Sequence, residues 1–175
     1  MRLRPLLPLI GVLLAISSRP AFADATLFLG KASVGSAAIA TKPTIKGFAI
    51  GAGLLIVGVE FEYASNPEDA ANYVPALRTG TGNVYVQTPI AIAGLRFYAT
   101  TGGGFYRETG AGARIAETQK TGFASNVGGG VKISLVGPLK VRVDYRVFKL
   151  HGERSQLLPW RSTVQRIYAG INLGF

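Results

Sequence analysis

Residues 163–175 read TVQRIYAGINLGF, and the alternation in this stretch decides the fold. Thr163, Gln165, Ile167, Ala169, Ile171, Leu173 and Phe175 share one strand face, while Val164, Arg166, Tyr168, Gly170, Asn172 and Gly174 share the other, because strand side chains point alternately to opposite sides. Every residue of the first face from Ile167 onward is apolar. Termini fray unless something ties them down, so a strand patterned to its last residue is expected to close a sheet.

Similar alternation recurs seven times upstream, near Leu27–Lys31, Gly47–Leu54, Val57–Tyr63, Asn83–Ile90, Leu95–Thr100, Phe123–Leu135 and Leu139–Val147. The clearest case sets Leu139, Val141, Val143, Tyr145 and Val147 against Lys140, Arg142, Asp144 and Arg146. Connections alternate in length. Those at Leu54–Val57, Ala91–Gly94 and Val136–Pro138 are short, and those at Val34–Ile45, Ser65–Gly82, Thr101–Thr121 and His151–Ser162 are long and rich in turn-forming residues. Short turns on one rim and long loops on the other predict an all-β, eight-stranded antiparallel up-and-down transmembrane β-barrel, with periplasmic turns and extracellular loops. Closure is required there, because an open sheet in lipid leaves amides unpaired. A soluble ligand-binding barrel of the lipocalin type is the rival, with apolar residues inside and charge outside.

The spacing of Tyr168, Gly170, Leu173 and Phe175 resembles the C-terminal assembly signal of bacterial outer-membrane β-barrels. Across residues 24–175 the chain resembles the small barrels of the protein A, protein X and opacity type, within the porin-like superfamily. The resemblance implies insertion by the barrel-assembly machinery and a structural or surface-interaction role in the Gram-negative cell envelope. A monomer is expected.

The N-terminus agrees with an exported protein. Arg2 and Arg4 precede an apolar run, Leu6 to Ile16, and Ala21, Phe22 and Ala23 give the small-x-small pattern of a signal-peptidase site. The expected organisation is a cleaved leader at 1–23, then an outer-membrane barrel at 24–175. The 19 Lys and Arg less three leader arginines leave 16 bases against 9 acids, a net charge of +7. Cysteine is absent, which excludes disulfides, thiol catalysis and thiolate metal sites.

With the apolar stripe facing lipid, Glu60, Glu62, Arg96, Lys132, Arg142, Asp144, Arg146 and Arg166 point into the lumen. An eight-stranded barrel is just filled by its side chains, so these groups are expected to pair as a packed polar core rather than line a small pore. Inward glycines, Gly128 and Gly130 among them, are expected to leave room for arginines opposite. Basic residues collect toward the long loops, and Arg107, Arg114 and Arg154 are candidate contacts for lipopolysaccharide phosphates, against the simpler reading of a solvated surface. Nucleic acid is not an expected partner of an exported chain. His151, with Glu153, Ser155 and Ser162 in one loop, suggests a lipid-modifying triad only thinly, since triad partners need rigid support. No catalytic residue, cofactor or metal site is expected.

Overall fold

The computed structural model describes residues 21–33, 42–69, 74–110, 118–151 and 163–175. They form eight strands: β1 (Ala21–Ser33), β2 (Thr44–Leu54), β3 (Val57–Asn66), β4 (Ala76–Gln87), β5 (Leu95–Gly110), β6 (Thr118–Ser134), β7 (Leu139–His151) and β8 (Thr163–Gly174). Each strand pairs antiparallel with its sequence neighbour, and β1 pairs with β8, so the sheet closes into a barrel. At the seam Ala23 N–H donates to the Phe175 carbonyl at 2.8 Å, and Phe175 N–H returns the bond to Ala23 at 2.9 Å. The C-terminal stretch is thus the closing strand. The expected leader cut after Ala23 falls within β1, and Asp24 already pairs with Gly51 on one side and Gly174 on the other.

Several strands run longer than the alternation predicts. β1 spans 13 residues rather than five, β4 starts at Ala76 rather than Asn83 and ends at Gln87 rather than Ile90, and β5 continues to Gly110. Residues 76–82 and 101–110 are rich in Gly and Thr, which reads as loop by composition, yet each has a complete strand partner. Pairing within a closed sheet overrides weak local preference. The β5–β6 connection accordingly shrinks to 111–117, and the β4–β5 turn lengthens to 88–94.

The tight turns hold the backbone in left-handed conformations. Gly137 sits at φ 57° and Gly94 at 80°, where glycine carries no steric penalty, but Leu55 sits at φ 41°. Gln87 holds that turn: its side-chain amide donates to Leu55 O at 3.1 Å and its backbone N–H to Ile56 O at 2.7 Å.

The two faces of the sheet are inverted relative to a soluble protein. Leu27 is 72% exposed and Val59 60%, while Arg146 is 0% and Arg142 1% exposed. Apolar side chains outside and ions inside overturn the lipocalin-type alternative. Glycines make room for the neighbouring strand and for the buried polar side chains. A Cβ on Gly128 would run into the Tyr145 carbonyl and lie 2.8 Å from Arg146 Cγ, and one on Gly130 would run into the Val143 carbonyl and lie 2.6 Å from Tyr98 Oη.

Candidate functional site

The lumen is built in three levels. At the turn side, Lys132 of β6 pairs with Asp24 of β1, and its ammonium lies 5.4 Å and 5.7 Å from the ring centroids of Tyr85 and Tyr98. Asn172 donates to Thr26 Oγ1 at 2.8 Å beside it.

At mid-barrel, Arg142 donates from Nε to Asp144 Oδ2 at 2.7 Å and to the Tyr98 hydroxyl at 2.6 Å, and from Nη1 to Glu60. Arg146 Nη2 donates to Glu60 Oε1 at 2.6 Å, and its Nη1 lies 3.1 Å from Glu62 Oε2. Tyr98 donates to Asp144 and Tyr168 to Glu62. Asp24, Glu60, Glu62 and Asp144 therefore face Lys132, Arg142, Arg146 and Arg166, four buried acids against four buried bases among the described residues. That balance matters because a buried ion stripped of its partner costs about 3–5 kcal/mol.

Toward the loop side the polarity changes. Arg166 stacks over Phe148 at 4.2 Å and donates to Thr79 Oγ1 at 2.8 Å. Around and beyond it Ile45, Leu77, Tyr106, Phe148 and Val164 belong to a buried apolar cluster inside the bore, which continues down to Phe28 beside Tyr168. The all-polar lumen expected from the alternation is corrected here. Phe148 lies past the predicted end of its strand, Ile45 falls within a predicted loop, and Val164 is an apolar member of the face read as polar.

The sequence candidates distribute as follows. Glu60, Glu62, Lys132, Arg142, Asp144, Arg146 and Arg166 are buried in the bore. Arg96 is half-buried on the inward face at the turn rim and joins no ion pair among the described residues. Asp24, Tyr85, Tyr98 and Thr79 join the lumen network without having been singled out. Inward parity marks Tyr85 and Tyr98, whereas Thr79 falls in a predicted loop, and the partners of all of them lie too far along the chain to be read from pattern.

In the C-terminal signal, Tyr168 and Gly170 face inward, Tyr168 stacking on Phe28 at 4.2 Å, and Leu173 and Phe175 face outward. Arg107 belongs to β5 rather than a loop. It is exposed on the outer wall, directly opposite Arg78 of β4. Arg114 and Arg154 lie outside the described residues, as do Glu153, Ser155, Ser162 and Trp160. His151 ends β7, where its Nε2 lies 2.9 Å from Ser125 Oγ and its ring packs 5.8 Å from Phe123. That serine, on the adjacent strand, was missed because it stands 26 residues upstream.

No family model and no curated protein matches the chain. Solved structures share its architecture. Neisserial surface protein A aligns over 89% of this chain and 97% of its own at 14% identity, with a TM-score of 0.69. The fold is that of the small outer-membrane β-barrels. The N-terminal barrel domain of Pseudomonas aeruginosa OprF shares it, with 13% identity over 88% and 97% of the two chains and a TM-score of 0.67. So does Ail, the attachment invasion locus protein of Yersinia pestis, at 11% identity over 90% and 99%, TM-score 0.59. A small barrel of this kind has one wall for lipid and one narrow bore, and here the bore is crossed by ion pairs and capped by apolar side chains.

Proposed function

We infer that this chain is a sealed, monomeric structural barrel of the bacterial outer membrane, exported through the periplasm and inserted by assembly machinery that reads Tyr168, Gly170, Leu173 and Phe175. Its function is non-enzymatic and lies in envelope integrity and surface interaction, with lipopolysaccharide as the partner of its basic loop-side residues, Arg107 in particular.

One observation carries the reading: ion pairs cross the bore from opposite walls, under a cap of buried apolar side chains. Such a bore is obstructed at both levels by side chains of the described residues. Planar-bilayer recording tests it. The wild-type barrel should give no current steps, and reproducible steps whose ion selectivity changes in Glu60→Gln would establish a pore instead.

The Ser125 and His151 pair favours a second reading, a lipid-modifying enzyme. Turnover of a long-chain acyl ester that disappears in Ser125→Ala would replace the structural role with that one.

A further inference from the structure

Arg78 and Arg107 stand directly opposite one another on β4 and β5, both exposed on the outer wall. Like charges at directly opposed positions destabilise a sheet, and neither arginine has an ion-pair partner among the described residues. The register continues the row sideways. Arg78 pairs with Ser65 of β3, and Ser65 with Lys46 of β2. Three cations and a hydroxyl thus line one level of four adjacent strands, spanning about 14 Å at the usual strand spacing of about 4.8 Å. Such a row suits an anion with more than one charged centre, and guanidinium forks match phosphate oxygens.

Below this row the wall is apolar and notched. A groove of about 890 Å³ runs along the outside from β7 to β4, with Leu27, Leu29, Phe48, Tyr63 and Ile171 on its floor and sides, and Lys46, Ser65 and Arg78 at its loop end. Directly under Arg78, Gly80 and Gly82 leave the wall bare; a Cβ on Gly82 would meet nothing within 4 Å. Basic groups at one end and an apolar trough at the other describe the complement of an amphiphile whose headgroup is anionic.

We propose that this groove binds a phosphorylated, multiply acylated lipid of the outer leaflet, its phosphates between Lys46, Arg78 and Arg107 and an acyl chain along the wall beneath. The inference rests on the outer-membrane reading above and moves the anion contact from loops to the rigid barrel wall. Ser65 supplies a neutral hydroxyl to the same headgroup.

Native mass spectrometry of the full chain folded in uncharged detergent tests this, with bis-phosphorylated lipid A, its dephosphorylated form and inorganic pyrophosphate as probes. Lipid A should remain bound, the dephosphorylated lipid should bind at least about tenfold more weakly, and pyrophosphate should not be retained. R78Q/R107Q should lose lipid A by a similar factor, while K149Q, which removes a wall charge outside the groove, should keep it. Ala169→Leu, which fills part of the groove from β8 and keeps every charge, should also weaken it. Retention by R78Q/R107Q, equal loss in K149Q, or equal binding of pyrophosphate would each overturn the groove. Heat-modifiable gel mobility separates the two readings. A folded barrel that ignores lipid A removes the groove and the lipopolysaccharide partner but leaves the structural barrel, whereas a chain that forms no detergent-resistant barrel removes the outer-membrane reading as well.

Discussion

Arg146 of β7 reaches across the bore to Glu60 of β3, its Nη2 2.6 Å from Glu60 Oε1, and these strands stand four apart in a ring of eight. The contact therefore ties opposite walls together at mid-height. Arg146→Ala should destabilise the folded barrel by about 3–5 kcal/mol, because Glu60 and Glu62 stay buried with less positive charge to face them. Urea unfolding followed by gel mobility measures this, and a loss under about 1 kcal/mol would mean water reaches the carboxylates.

The loop-side cap makes a separate prediction. Phe148 is fully buried and carries the Arg166 guanidinium on its ring. Phe148→Ala should cost about 3–5 kcal/mol through the cavity it leaves, whereas Phe148→Leu should retain most of the stability. Because the cap lies above the ion pairs, the alanine variant should still conduct no ions.

Two glycines of the same chemistry should behave oppositely. A Cβ at Gly128 runs into the Tyr145 carbonyl and meets Arg146 Cγ at 2.8 Å, and one at Gly82 meets open space. Gly128→Val should lower the unfolding midpoint by pushing apart the β6–β7 pairing and displacing Arg146 from its carboxylates. Gly82→Ala should change stability by no more than about 0.5 kcal/mol, as surface substitutions usually do. Equal effects in the two variants would show that Gly128 does not provide the space for the close approach of β7 and its Arg146 side chain.

Much of this architecture is written in two-residue periodicity. The Leu139–Val147 alternation puts Arg142, Asp144 and Arg146 on one face, but closure alone does not choose the inner face, and it is their burial that places this one inside. The strand ends were less legible. Thr, Gly and Asn around residues 76–82 and 101–110 favour turns locally, and only neighbouring strands hold them extended. The pairing inside the bore was unreadable for a different reason. Lys132 meets Asp24 across 108 residues of sequence, and Ser125 meets His151 across a strand boundary, so their proximity is set by barrel register rather than local spacing. The apolar cap was hidden for a third reason: Ile45 and Phe148 lie outside the predicted strands, and Val164, though on the inward face, is an apolar residue in a row otherwise read as polar or small.

The most direct test of the account is spin-label accessibility in a reconstituted bilayer, with labels on the outward residues Val59, Val143 and Ile171 and the inward residues Thr81 and Asn126. Oxygen, which partitions into lipid, should relax the outward labels strongly, and a water-soluble nickel complex should reach neither set. Outward labels relaxed by the nickel complex and shielded from oxygen would contradict a sealed barrel with a lipid-facing apolar wall.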